Sequence, residues 1–471
     1  MSDYANFPVV FWLAVAVLLL LLMEVFLRWK EPWTKPAFLV YGTVGAWYLG
    51  DLIYSGIAEF SGQFGPDILN AALGQVILFL LGYRGFVQVV VPRFIKNLPR
   101  RDSPPRIDQR SLAGLLKASS WLWLFFFLLG LSMYANWQVL AILWPPSEPN
   151  GKVGLFVRPG VGSGIDFLTS AIGYVYLSLC TMFGVFFVLC TGASRYMALC
   201  LMIVSWPYFW FDRTRNTMLA LLMPAVLCYM LFGRSTWKIK IIICAALLFL
   251  VDLWFVGVMH YRENYGSTSQ ILDFSASSGT KMEGLDMLSE LCWMDFLVEQ
   301  GAYKPNMGQR YFAEIANAVP RTFWPDKPKI GFDYALARGY GNNNQDSNSE
   351  VTATIATGMI GQGVANFGLF FGVLAAAFLM SLWTGILTRL WQQSDLLPRL
   401  LLYMLGCGLT FNMGRDITLL VLWPFVFGYL GILIWEKYFM RQPPQLKKAN
   451  GLRAKSVSAL AQRTKREMRA R

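Results

Sequence analysis

The chain has 471 residues, 55% of them hydrophobic and only 15% charged, with a mean hydropathy of +0.44. Soluble domains usually carry about a quarter charged residues, so a soluble enzyme and a cytosolic nucleic-acid binder are both excluded. The formal net charge of +13 in so apolar a chain then has to be explained by where the charges sit.

Apolar runs of about 20 residues, the length of helix that crosses a bilayer, fall near residues 8–27, 37–56, 68–91, 112–133, 167–190, 194–211, 216–233, 239–258, 364–387, 398–413 and 417–435. The expected fold is therefore an all-α polytopic membrane protein with about 11 spans and a largely helical external loop. The first run lacks a basic start and is followed by Arg28 and Lys30, which reads as a retained anchor rather than a signal peptide. The division expected is spans one to eight in 1–258, a large polar loop in 259–350, spans nine to eleven in 351–436 and a basic tail in 437–471. An insert at 135–166 is rich in Gly and Pro and too short for an independent domain.

Lys and Arg concentrate in cytoplasmic loops. The loop 93–110 carries Arg93, Lys96, Arg100, Arg101, Arg106 and Arg110, and residues 437–471 carry eleven Lys and Arg against Glu467 alone. Placing both inside puts the N-terminus outside, the C-terminus in the cytoplasm, and the 259–350 loop and the 135–166 insert outside. Most of the +13 is thus topology and attraction to anionic membrane lipids, not nucleic acid. Two short external turns break the scheme: Asp212-Arg213-Thr214-Arg215 and Gly414-Arg415-Asp416. Each is either a helix-end ion pair or a cationic site facing an external ligand.

Within the large loop, Met282, Leu285, Leu288, Leu291, Cys292 and Phe296 recur at helical spacing, which predicts an amphipathic helix over 280–301. A second helix is predicted over Gln309 to Val319, stopped by Pro320. Residues 320–328 hold three prolines and form a fixed turn presenting Arg321, Asp326 and Lys327. Residues 341–350 read as a connector back to the membrane.

The sequence holds no HExxH, DxD or GxxxxGK[ST], and a single histidine, His260. Neither a zinc site nor a metal-bridged nucleotide-sugar site has residues to rest on, so no cofactor is expected. Gly160, Gly162 and Gly164 follow no strand. Six of the seven cysteines lie in apolar runs and no CxxC occurs. What remains is a set of external cations: Arg213, Arg215, Arg262, Arg310, Arg321, Lys327 and Arg415. Guanidinium forks suit phosphate oxygens, so the chemistry indicated is recognition of an anionic, diphosphate-bearing substrate. The general base stays open between His260, at the external end of span eight, and the carboxylates Asp326, Glu350 and Asp416. Asp252 and Arg84, inside spans, must face protein or a wet cavity, and Asp51 could line the same cavity. External aromatics such as Trp206, Tyr208, Trp210 and Tyr261 fit either an interfacial belt or sugar binding.

The stretch Val319-Pro320-Arg321-Thr322-Phe323-Trp324-Pro325-Asp326-Lys327-Pro328, the arginine-bearing turn at 212–216, and Glu350-Val351-Thr352 leading on to Asn366-Phe367-Gly368 resemble the bacterial Wzy-type oligosaccharide repeat-unit polymerases, relatives of O-antigen ligases among the metal-independent membrane glycosyltransferases. The resemblance implies glycosyl transfer at the outer face of the inner membrane, from an undecaprenyl-diphosphate-linked oligosaccharide to a second lipid-linked repeat, with a chain-length regulator as a partner protein. Arg213, Arg215 and Arg415, helped by Lys327, Arg262 and Arg310, would grip the diphosphate. Arg321 with His260, Asp326 or Glu350 would serve the chemistry. A ligase, or a polysaccharide or lipid transporter, is the alternative.

Overall fold

The computed structural model describes residues 7–99, 105, 107–133, 166–211, 215–264, 287–316, 319, 323–324, 326, 328, 332–339, 355–415, 417 and 419–438. Among these the chain is entirely helical. The helices are α1 (Val9–Leu27), α2 (Thr34–Val44), α3 (Gly50–Ser55), α4 (Ile57–Phe64), α5 (Pro66–Ile95), α6 (Gln109–Met133), α7 (Asp166–Leu189), α8 (Ala193–Phe211), α9 (Arg215–Phe232), α10 (Trp237–Asn264), α11 (Met287–Glu299), α12 (Gln309–Ala316), α13 (Phe332–Ala337), α14 (Gly358–Phe367), α15 (Phe371–Gln392), α16 (Leu397–Met413) and α17 (Leu419–Tyr438). The chain forms one compact unit to Phe427 and a second from Gly428 onward, of which 428–438 continue α17. The basic tail beyond 438 and the 135–165 insert lie outside the described residues.

Among the described residues, five helices are long and apolar enough to cross a membrane: α1, α5, Gln109–Ser132 of α6, Ile172–Leu189 of α7, and α15. The protein is therefore membrane-embedded by length and composition. Prolines sit inside α5, α8, α9 and α17 (Pro92, Pro207, Pro224, Pro424), which membrane helices tolerate because neighbours re-satisfy the freed carbonyls.

Lipid offers no hydrophobic drive between spans, so small residues that let helices approach closely hold the bundle together. Helices α5 and α15 run side by side. A Cβ on Gly82 would lie 3.0 Å from Leu374 and one on Gly385 2.8 Å from Phe94. Tyr83 and Thr384 share a buried hydroxyl hydrogen bond of 2.7 Å between them. Helices α9 and α16 meet where Gly408 abuts Pro224, and Trp383 of α15 donates to Thr410 of α16 at 2.9 Å. Arg84 has the environment its cost in lipid demands: its Nε donates to Glu24 of α1 at 2.6 Å, its second guanidinium nitrogen bonds the other Glu24 oxygen, and the ring of Trp33 lies 5.0 Å from it.

Five elements differ from the sequence-based expectation. The run near 364–387 is two helices, because Gly368, at φ +81°, ends α14 in a conformation that favours glycine and the spanning helix starts afresh at Phe371. The run at 37–56 is interrupted at Gly45–Leu49 by a π-helical turn, whose extra residue rotates everything after it. The loop helices are shorter than 280–301 and 309–319, at Met287–Glu299 and Gln309–Ala316, and α10 continues past 258 to Asn264.

Candidate functional site

Helix α14 is the hub. Residues Gly358 to Asn366 are all buried, and position 358 calls for glycine twice over, through its φ of +74° and because a Cβ there would strike the Tyr48 hydroxyl. The first amides of a helix lack intrahelical acceptors; here Met359 N donates to the Gly414 carbonyl (3.2 Å) and Ile360 N to the Tyr48 hydroxyl (3.0 Å). One turn on, the Gln362 amide brackets Ile417, donating to its carbonyl at 3.3 Å and accepting from its N–H at 3.1 Å. The turn carrying Arg415 is thus clamped to α14 on both flanks. Trp47, from the π-helical turn, donates to the Phe411 carbonyl at 2.9 Å and steadies the last turn of α16. Arg415 is half-buried, and its own N–H donates to Asn412 O at 3.1 Å. A guanidinium at a helix C-terminus is electrostatically favoured, which makes this a stable seat for a positive charge.

The far end of α14 carries the loop helices. Asn366 donates to the Gln362 carbonyl (2.7 Å) and accepts from Tyr311 N (3.1 Å), while Asn306 N and Gly308 N donate to the Ala365 and Asn366 carbonyls. Arg310 is 4% exposed on the inward face of α12, beside Tyr303 and Tyr334. Around it Tyr303 donates to Asp333 at 2.6 Å, Tyr334 donates to Glu290, and Glu290 pairs with Arg338 at 3.1 Å. The Arg338 guanidinium stacks 4.1 Å above Trp293. Burial raises the Tyr303 and Tyr334 hydroxyls well above their usual range, and the carboxylates of Asp333 and Glu290 raise them further, so both stay protonated donors. This network ties α11, α12 and α13 into one block.

A second pair of carboxylates lies where α11 meets the bundle. Asp51, 8% exposed, accepts from Ser289 N at 3.3 Å. Asp295 is fully buried and accepts from Gln75 of α5 at 2.9 Å, while Asp295 Oδ2 and Gln75 Oε1 are buried without partners. Burial pushes the Asp295 carboxyl up to about 7, with Gln75 offsetting part of the shift and Glu299 adding to it. Burial, then Asp295 and Asp51, push the Cys292 thiol well above its usual range, leaving it inert. A raised acid pKa means the folded state binds the proton more tightly, so stability is greatest below about pH 4 and falls as pH rises to about 7. Asp295→Asn supplies a permanent donor instead. Its unfolding free energy should match wild type at pH 4 and exceed it at pH 8 by about 4 kcal/mol; a constant difference from wild type across that range, measured by denaturation, would refute the buried acid.

Of the residues expected from sequence, Arg310 and Arg415 are brought onto the two ends of α14. Asp326 is exposed on a turn. Arg213, Arg321, Lys327, Glu350 and Asp416 lie outside the described residues; so do the side chains of Arg215, Asp252, His260 and Arg262, whose helices α9 and α10 are described. The sequence reading missed Glu290, Arg338, Tyr303, Tyr334 and Asp295. Asp295 had a signal: it follows Leu288, Leu291 and Cys292 at helical spacing, a carboxylate on an apolar stripe. No protein-family model, curated protein or solved structure matches this chain.

Proposed function

We propose that the protein is a polymerase of the bacterial inner membrane, with about eleven spans, its N-terminus outside and its C-terminus in the cytoplasm. It joins undecaprenyl-diphosphate-linked oligosaccharide repeats by metal-independent glycosyl transfer at the external face. The observation that supports this best is Arg415: half-buried just past a helix end, on a turn whose flanks are hydrogen-bonded to α14, a helix buried from Gly358 to Asn366. A rigid, partly desolvated cation of this kind stabilises charge developing on a leaving diphosphate without reorganising. Arg213, Arg215, Arg262, Arg321 and Lys327 would complete the grip. Arg310, enclosed among Tyr303, Tyr334 and Glu314, would hold the loop block in place behind it. The acceptor hydroxyl would be deprotonated by His260 or by Asp326 or Glu350.

A transporter would rely on mid-membrane charge, yet Arg84 is matched by Glu24. The test is reconstitution in nanodiscs with a lipid-diphosphate-linked repeat unit, without nucleotide and with chelator. A ladder of lipid-linked multimers is the expected product. Unchanged single repeats from a folded, active-pool-verified preparation would refute the polymerase, and transfer of preformed chains to a different acceptor would make it a ligase.

A further inference from the structure

Helix α12 has its amphipathicity turned inside out. Its charged residues Arg310 and Glu314 are each 4% exposed, whereas Phe312 is 52% and Ile315 67% exposed. The apolar surface extends along the chain on both sides: Met307, held at a positive φ of 53°, is 84% exposed, Val319 37% and Phe323 82%, and the Trp324 ring packs 6.1 Å from Phe312. A helix bathed in water would present the reverse pattern, because burying ionised groups while wetting large apolar ones loses on both counts.

The position of α12 indicates which apolar medium covers this face. Its N-terminal turn is hydrogen-bonded to the end of α14, and Gly308 lies so close to the Phe367 ring that a Cβ would sit 3.1 Å from it. Four residues beyond Phe367 the spanning helix α15 begins, with Phe370 and Phe371 55% and 70% exposed at its mouth and Phe378 exposed further along. Helix α12 is thus anchored, through the end of α14, at the entry of a membrane-crossing helix whose first residues are apolar and exposed. Lys304, exposed on the preceding turn, is a headgroup-compatible charge beside it.

We infer that α12 is an interfacial helix, with Phe312 and Ile315 inserted at the boundary between headgroups and acyl chains of the outer leaflet, so that the partner of this surface is bilayer phospholipid. This rests on membrane embedding and on the external placement of the 259–350 loop, and is independent of the glycosyl-transfer reading. Its effect is to pin the Glu290–Arg338–Arg310 block to the bilayer plane rather than let it stand in water. Such helices typically sink about 5–10 Å into the interface.

The test is site-directed spin labelling of the full chain in phosphatidylethanolamine/phosphatidylglycerol vesicles. Cys200, the exposed native cysteine, is replaced by Ser and a nitroxide is placed on Ile315→Cys. Leu20→Cys, exposed on α1, serves as the lipid reference, and Glu299→Cys, exposed at the end of α11, as the aqueous one. The expected result is a ratio of oxygen to nickel-chelate accessibility several-fold above that at Glu299→Cys and approaching that at Leu20→Cys. A ratio equal to that at Glu299→Cys overturns the inference, and so does an immobilised label shielded from both reagents, which would mean a protein covers this face. Should Ile315→Cys not fold, Phe323→Cys answers the same question.

Discussion

Arg415→Ala is expected to cut chain extension in the reconstituted assay by roughly 10²–10³-fold, the usual loss when one preorganised donor to a developing anion is removed. The size follows from how the residue is held. Its turn is fastened by Met359 N to Gly414 O and by both arms of the Gln362 amide to Ile417, so the backbone that carries the guanidinium is held in place. Arg415→Lys keeps the charge but not the planar fork and should recover only part of the activity. Ladder length on a gel is the readout, with thermal stability of each variant measured alongside. A wild-type ladder from a normally folded Arg415→Ala protein would remove this residue from the site.

The largest effect on folding is expected at Gly363 and Gly372, where α14 and α15 fold back against each other. A Cβ on either residue would lie 2.2 Å from the carbonyl oxygen of the other. The obstacle is backbone in both directions, so no side chain can swing aside, and the cost should exceed the about 1–3 kcal/mol typical of an overpacked core. Gly363→Ala and Gly372→Ala should each abolish monodisperse, detergent-purified protein in fluorescence-detected size exclusion. Gly74→Ala, in α5 with nothing within 4 Å of the added carbon, should be neutral or slightly stabilising. If all three variants behaved alike, the close approach of α14 and α15 would be wrong. Because Gln362 and Asn366 flank Gly363, loss of this contact would also release the Arg415 turn.

The Glu24–Arg84 pair shows how one observation changes a reading. From sequence, Arg84 was a lone cation in an apolar run, as costly as Asp252 and as suggestive of transport. With Glu24 on one side and the Trp33 ring on another, the cost of Arg84 is offset locally and no conduction pathway is required to explain it. In the loop, the pairing of Glu290 with Arg338 and of Tyr303 with Asp333 gives several of the charged residues there structural duties, leaving fewer cations to contact a ligand than their number implies.

Much of the fold was legible in the sequence because burial in lipid depends on composition over about 20 residues, a local quantity. Each apolar run falls on helical segments, five of them long and apolar enough to cross a membrane among the described residues, and the two loop helices occur where Leu288, Leu291 and Cys292 and the Gln309 start predicted them. The site was legible only as a list of cations and a turn. What brought the Arg415 turn to α14, and what gave the buried Asp295 its partner, are contacts between residues far apart in the chain: Gln362 with Ile417, Tyr48 with Ile360, Gln75 with Asp295. Such pairs leave no periodic trace.

Composition and local order of residues alone thus determined a helical, membrane-embedded chain whose positive charge collects in one loop and the tail, and which keeps a few arginines apart from both. The tertiary structure decided that Arg310 is enclosed and Arg415 half-buried, where a run of apolar residues breaks at Gly368, and that α12 turns its greasy side away from the protein. The physical reason is one of range. Hydrophobicity acts residue by residue and can be summed along the chain, whereas hydrogen bonds, ion pairs and close backbone approaches act only over a few ångströms and depend on which distant segments the fold brings together.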